Sequence, residues 1–511
     1  MVFYKNYYSI MQQALTVNPV SFRQFVFVHY KQQLLFSILG MLTLFIVYKI
    51  LYPFPDTYVD SFHYLSLAED GNYISVWPMG YSYFLRAVHF ITPSHLFLIT
   101  VQFALLQGAC LWMAFTLFYL FQPDERLKNA VLIFLVFNPM SYYLANLISS
   151  DVFFAALSVA WLTILVKMLY EAQYWHILLQ GPLLAYLFLV RYQAAYYPII
   201  MIVALWLAPI NRVWKVLSAT IGVLLLVWIV NTTLQKNLRQ YGRKEFSAQS
   251  GWILASNALF MYPYIRIDTA AFQGERLQQM DQVVSTYFKA NDLMQHPFYP
   301  WDGPQYMLGG RGAVMWYHLA TVEEAAQPDK PVFWLYNRMG VHWANYAKAL
   351  IKQHPWAYVQ YYLLPNVITY FLPVIEQFTV YSMGRNKVPT RVARWFGRKD
   401  RYISAVWPKG SYYLLWGFRP LFLLLNLVLL VCGIQLLKKR KQIQMHPVQQ
   451  KILIVLGLAF VGNAALLIIS IPVMLRYQAF ALFQGVLLLL AIIAVLQKNA
   501  KLNEVLFRPQ N

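Results

Sequence analysis

Carboxylates are scarce in this sequence, with 20 Asp and Glu against 41 Lys and Arg in 511 residues, and two of them fall in polar stretches between long apolar runs. Asp60 lies in DTYVDSFHYLSLAEDGNYISVWPMGYSYFLRAVHFI, and Asp151 lies in NPMSYYLANLISSDVFF, where the next apolar run begins. Asp60, His63, Tyr64 and Leu67 recur at three- and four-residue spacing, so a short helix here presents them on one face, with the carboxylate toward a cavity. A carboxylate in hydrogen-bond reach of a hydroxyl can take its proton as that oxygen attacks. The plainer role for Asp56, Asp60 or Asp151 is N-capping, which Ser149 and Ser150 also suit. Glu69 and Asp70 are weaker candidates of the same loop. Asp151 gains weight because an ionisable residue at a span end with no cation nearby in sequence faces a polar cavity.

Two arginines break the charge pattern in a similar way. Arg191 in LVRYQAAYYP and Arg476 in IPVMLRYQAFALF both begin Arg-Tyr-Gln-Ala in otherwise uncharged turns. A guanidinium fixed near a headgroup plane can grip a phosphate with two parallel hydrogen bonds. Snorkelling toward lipid headgroups is the alternative. His63 and Tyr64 beside Asp60, and Tyr477 beside Arg476, are the candidate contacts to a sugar or acceptor, although a lone histidine more often packs or caps. Tyr299, Trp301, Tyr306, Trp316 and Tyr317 could stack on a sugar, and interface anchoring explains them equally well.

The elements that must position these groups are membrane helices. The chain is 59% hydrophobic and 12% charged, and its apolar runs of about 20 residues match a bilayer's hydrocarbon thickness. Runs at 34–52, 96–121, 129–147, 152–169, 176–190, 193–209, 217–235, 414–437, 452–470 and 478–497 give about ten spans of an all-α polytopic bundle. The first run stands too far in, and is too long, for a cleavable signal, so it reads as a retained anchor. Net charge +21 is concentrated beside these runs, where orientation and anionic headgroups account for it; no nucleic-acid partner is expected. Cys110 and Cys432 both sit inside apolar runs, so neither a disulfide framework nor a cysteine metal site is indicated.

Lys5, Arg23, Lys31, Arg126, Lys128, Arg212, Lys215, Lys438 to Lys441, Lys451, Lys498, Lys501 and Arg508 flank alternate runs. That bias places both chain ends in the cytoplasm and residues 53–95, 148–151, about 191, 236–413 and 471–477 on the other side. The resulting division is a cytoplasmic segment 1–33, a transmembrane module 34–235, an extracytoplasmic and interfacial region of helices and loops 236–413, and a transmembrane module with its tail 414–511. Within 236–413, apolar residues of 268–293 fall at helical spacing, 296–317 reads as a loop, and a helix runs from Pro331 to Gln353. The stretch 356–376 carries Pro365 and Pro373 and is expected to lie at the interface. The basic stretch Arg385, Lys387, Arg391, Arg394, Arg398, Lys399 and Arg401 leaves a cytoplasmic placement of 377–413 as the alternative.

No CxxC pairs, HExxH, Walker loop, GxGxxG or GxSxG is present, which argues against soluble-type nucleotide, zinc-protease or serine-hydrolase chemistry. The layout from about residue 34 to 235 resembles the C-type glycosyltransferase (GT-C) superfold, and within it the dolichyl-phosphate-mannose protein mannosyltransferases and the lipid A aminoarabinose transferase. Asp60 matches the position of that family's catalytic acid. WPMGYSYFLRAVHFI looks like its proline-glycine approach to the next helix, and NPMSYYLANLISSDVFF like its second outer turn. LVRYQAAYYP and IPVMLRYQAFALF are similar to its middle turn and its Arg-Tyr turn before the last helix, and ALIKQHPWAYV ends a long outer helix in the same manner. Asp60 is followed by Ser61 instead of a second acid, and no WWDYG-like stretch occurs, so neither a required metal nor a peptide-asparagine acceptor is implied. The resemblance implies a polyprenyl-phosphate sugar donor, a lipid or glycan acceptor and one inverting displacement, with catalytic Asp60 and Asp151 and phosphate held by Arg476 and Arg191. The site is expected on the outer face of its membrane, and the lack of sorting signals and the scarcity of cysteines favour a bacterial inner membrane over the endoplasmic reticulum. A transporter or flippase of a lipid-linked saccharide, or a glycan polymerase or ligase, is the alternative expectation; no certain cofactor is expected.

Overall fold

A computed structural model describes residues 20–70, 77–308, 313–319, 323, 328–329, 332–376 and 378–507. Lys5, Arg508 and part of the Gly-rich 296–317 stretch lie outside them. Among the described residues the chain is helical, and extended backbone pairs only at isolated points: Asp56 with Leu147, Val374 with Met474, and Lys387 with Tyr402.

Helix α1 (Lys31–Leu51) leads into a loop that holds α2 (Val59–Asp70) and α3 (Gly80–Ile91). Helices α4 (His95–Phe121), α5 (Glu125–Phe137), α6 (Pro139–Asn146), α7 (Ser150–Tyr170), α8 (Tyr174–Val190), α9 (Tyr197–Leu207) and α10 (Arg212–Tyr241) follow. A region rich in shorter elements comes next, with α11 (Ala248–Leu259), α12 (Glu275–Ala290), α13 (Val332–Gln353) and α14 (Leu364–Phe371). The chain closes with α15 (Gly410–Lys438), α16 (Pro447–Ser470) and α17 (Ala479–Phe507).

Among the described residues, seven helices are long and apolar enough to cross a membrane: α1, α4, α7, α10, α15, α16 and the stretch Leu475–Ala500 that runs into α17. The face of α10 makes the same point, since Val213, Leu224, Val227 and Trp228 are exposed and only hydrocarbon covers so long an apolar surface at no cost. The chain is therefore a multi-pass helical membrane protein. The remaining apolar runs form shorter helices. One of them, 129–147, is not a single rod. Asn138 accepts a hydrogen bond from Met140 N (3.0 Å) and Pro139 takes the first helical position, so the chain stops and restarts as α6. Helices α8 and α10 cross at Gly181 and Gly222, where a Cβ on Gly181 would meet the Gly222 backbone at 3.3 Å, the close approach that small residues permit between membrane helices.

The helices share two ends. At one, Tyr30 hydrogen-bonds Glu125 (2.7 Å), Tyr119 meets Tyr170 (3.1 Å), and Gln449 reaches Leu120 O (2.8 Å). At the other, the first loop joins the 147–151 turn: Ser61 Oγ donates to Ile148 O (2.7 Å) and Asp56 N to Asn146 O (2.8 Å). Residues 378–403 pack into this second end, with Trp395 against His89 and Phe396 against Phe54. Tyr381 Oη donates to Phe54 O (2.8 Å), and Arg391 and Arg394 pair with Glu69 and Asp70. The basic stretch thus packs on the loop that carries Asp60, and its alternative placement at the Lys438–Lys441 end does not fit these contacts.

Residues 252–362 build a second core, in which Met280, Val284, Tyr287 and Phe288 of α12 face Trp343, Tyr346 and Leu350 of α13. The helical spacing read in 268–293 and the helix ending at Gln353 both appear. The 356–376 stretch lies along the second end. Its Tyr362, Asn366, Tyr370 and Val374 all bond within residues 468–478, led by Asn366 Nδ2 to Ile468 O (2.8 Å) and Leu475 N to Val374 O (2.9 Å).

Candidate functional site

Four polar side chains separated by up to 416 positions in sequence converge at this second end. Asp151 lies in the first turn of α7, and the capping role falls to Ser149, whose hydroxyl accepts from Asp151 N (3.2 Å). That leaves the Asp151 carboxylate to accept from Arg191, Arg476 (3.3 Å) and Ser149. Arg476 is the hub. Its Nη1 donates to Tyr58 Oη (2.7 Å) and lies 3.5 Å from Asp60 Oδ2; its Nη2 donates to Tyr477 Oη (2.9 Å); its Nε is 3.8 Å from Glu376. The guanidinium also faces the rings of Tyr58 and Tyr477 at 5.0 and 4.5 Å, a cation–π pairing that gains as water is excluded.

Local sequence explains how the two arginines arrive. Each Arg-Tyr-Gln-Ala forms a 3₁₀ turn entering a helix, over Tyr192–Tyr196 and Leu475–Gln478. The glutamine of each turn is anchored: Gln193 to Asn463 Oδ1 (2.6 Å) and Gln478 to Tyr370 O (2.7 Å). Gly80 fixes the first loop against the end of α8, because a Cβ there would lie 2.6 Å from the Leu189 backbone, next to Arg191.

Exposure separates the two aspartates. The Asp151 side chain is 1% exposed and that of Arg476 5%, whereas Asp60 is 21% and Glu376 29% exposed. Asp60 is open at the edge of the cluster, and Asp151 is enclosed with the arginines. Arg476 lies among three carboxylates, and among the described residues no group of three or more His, Cys, Asp or Glu is arranged to hold a metal ion.

Of the other residues singled out in the sequence, Tyr64 donates or accepts at Ser150 Oγ (3.0 Å), which Arg191 also contacts (3.2 Å). His63 stacks on Trp77 at 4.4 Å, and burial lowers its pKa against the pull of Asp60. Asp56 is apart from the cluster; its carboxylate accepts from Ser382 N (2.7 Å). Glu69 and Asp70 belong to the Arg391 and Arg394 pairs. Tyr299, Trp301, Tyr306 and Tyr317 lie in or against the 252–362 region, where Tyr306 is core. Sequence reasoning missed Tyr58 and Glu376. Tyr58 stands two residues before Asp60, a signal that could have found it; Glu376 lies in a stretch read only for its prolines and tyrosines.

Comparison with protein-family models, with curated proteins and with solved structures finds no match to this chain. The functional reading therefore rests on this cluster and on the motifs that build it.

Proposed function

We propose that the chain is a membrane glycosyltransferase of the GT-C kind, moving a sugar from a polyprenyl-phosphate donor to an acceptor hydroxyl on the extracytoplasmic face. In this reading all ten apolar runs cross the bilayer. The observation that carries it is the meeting of partly exposed Asp60 with Arg476, Arg191 and Asp151 at one end of the bundle. An acceptor oxygen attacks the anomeric carbon, the bond from that carbon to the phosphate oxygen breaks, and polyprenyl phosphate leaves with the electron pair. The acceptor proton passes to Asp60, and the anomeric configuration inverts in one displacement.

The charge inventory gives the arginines distinct parts. Arg191 is committed to Asp151, while Arg476 is shared at 3.3–3.8 Å among Asp151, Asp60 and Glu376. A donor phosphate competes best for the shared cation. As it draws Arg476 toward itself, the phosphate charge is neutralised where it develops and Asp60 is released to act as base.

Purified protein in detergent, given a radiolabelled polyprenyl-phosphate sugar and an acceptor extract, tests the proposal. Transfer is expected without any membrane barrier, which a flippase would not give. Asp60→Asn should lower turnover by about 10²–10⁴-fold with the protein still folded; near-normal turnover in that variant overturns the assignment.

A further inference from the structure

Val374 and Ile375 form a short extended segment with two faces. One side pairs with the 474–475 backbone and carries Glu376 toward Arg476. Beside the other lies a cavity of about 190 Å³ lined by Trp301, Val374, Ile375, Tyr412, Trp416 and Arg419, with room for more than a single water. Tyr412, Trp416 and Arg419 belong to α15, a helix apolar enough to cross the membrane, and Trp416 is exposed on its surface.

Arg419 is the unusual member. It stands more than two turns into an apolar helix, donates to Leu372 O (3.2 Å), makes no ion pair among the described residues, and its buried Nε has no hydrogen-bond partner. Arg191 and Arg476 each have a carboxylate; Arg419 has a cavity. A cation inside a membrane helix is costly unless something compensates it, and an open guanidinium edge suits a phosphate. Two tryptophans and a tyrosine at the cavity wall supply the apolar and interfacial part.

We propose that this cavity binds the phosphate head of a lipid, with Arg419 as its cationic ligand and the chain running out past Trp416 into the bilayer. As a waiting position for the donor it rests on the function proposed above; as a lipid-phosphate site it stands by itself. Two sources share this chemistry, a prenyl phosphate monoester and an anionic phospholipid.

Native mass spectrometry of the full chain in detergent, titrated with farnesyl phosphate, phosphatidylglycerol, phosphatidylcholine or inorganic phosphate, tests it. Farnesyl phosphate or phosphatidylglycerol should bind, and whichever binds more tightly names the source. Arg419→Gln should weaken that binding about tenfold or more, the loss expected for a charge-assisted hydrogen bond, while Arg419→Lys keeps most of it and Arg385→Gln, an exposed cation elsewhere, changes nothing. Equal binding of phosphatidylcholine, equal binding of inorganic phosphate, or undiminished lipid binding by Arg419→Gln overturns the proposal. Should Arg419→Gln fail to fold, Trp416→Ala must weaken farnesyl phosphate binding and leave inorganic phosphate unaffected, or the proposal falls. Sugar transfer by a wild-type protein that binds neither lipid at Arg419 would sink this site and leave the proposed function standing.

Discussion

Asp60 and Asp151 meet the same arginine and do different work, because one is open and the other is not. Removing the Asp151 charge leaves Arg191 and Arg476 buried without their shared counter-ion, and breaking a buried pair costs about 3–5 kcal/mol. Asp60 touches Arg476 only at 3.5 Å and is partly solvated, so its loss should cost about 1 kcal/mol or less. Thermal unfolding of the two variants in detergent should therefore separate them: Asp151→Asn melts well below wild type and Asp60→Asn close to it. Equal losses would give Asp60 the same structural role and remove the reason to read it as the base.

At the level of elements, the first loop is held by contacts to residues far along the chain. Asp56 pairs its backbone with the 146–148 turn and its side chain with Ser382 N. Burial pushes its carboxyl up from 3.8 to about 7, against the hydrogen bonds of the Ser382 and Thr57 backbone that favour the charged form. The folded protein thus keeps a proton that the unfolded chain releases near pH 4. Between about pH 4 and pH 7 the folded state binds more protons, so this residue makes stability fall as pH rises, with no further change above. Chemical denaturation in detergent from pH 4 to 8 should show that decline in wild type, and Asp56→Asn, which can still accept from Ser382 N, should flatten it. An unchanged slope would mean that Asp56 is already ionised in the fold.

Across the whole molecule, the bundle has one end that gathers the candidate site, the 252–362 region and the basic 385–401 stretch, and another that gathers the remaining basic loops. The charge bias of the sequence predicts that the second of these faces the cytoplasm. Single cysteines at Asn291, Lys399 and Gln442, in a chain lacking Cys110 and Cys432, make that orientation measurable. An impermeant maleimide applied to intact cells should label Asn291→Cys and Lys399→Cys, and Gln442→Cys only after permeabilisation. Labelling of Lys399→Cys together with Gln442→Cys would contradict the packing of residues 378–403 on the first loop.

The apolar runs, the short helix bearing Asp60, the amphipathic α12 and the paired Arg-Tyr-Gln-Ala turns were all legible in the amino-acid order, because each rests on spacing within one or two helical turns and on the thickness of hydrocarbon. The third run, 129–147, reads as one span, and that reading misses the Asn138-Pro139 stop and restart within it. Glu376 and Arg419 were not legible, since nothing in their own neighbourhoods distinguishes them from an interfacial acid and a snorkelling cation. Their meaning comes from residues about 100 and 47 positions away. The local chain fixes which helices form and which groups they carry. Only the packing of the 374–376 segment between α15 and the Arg476 turn decides which charges share one enclosure, because burial and distance, which set the strength of every ion pair here, are properties of the assembled bundle.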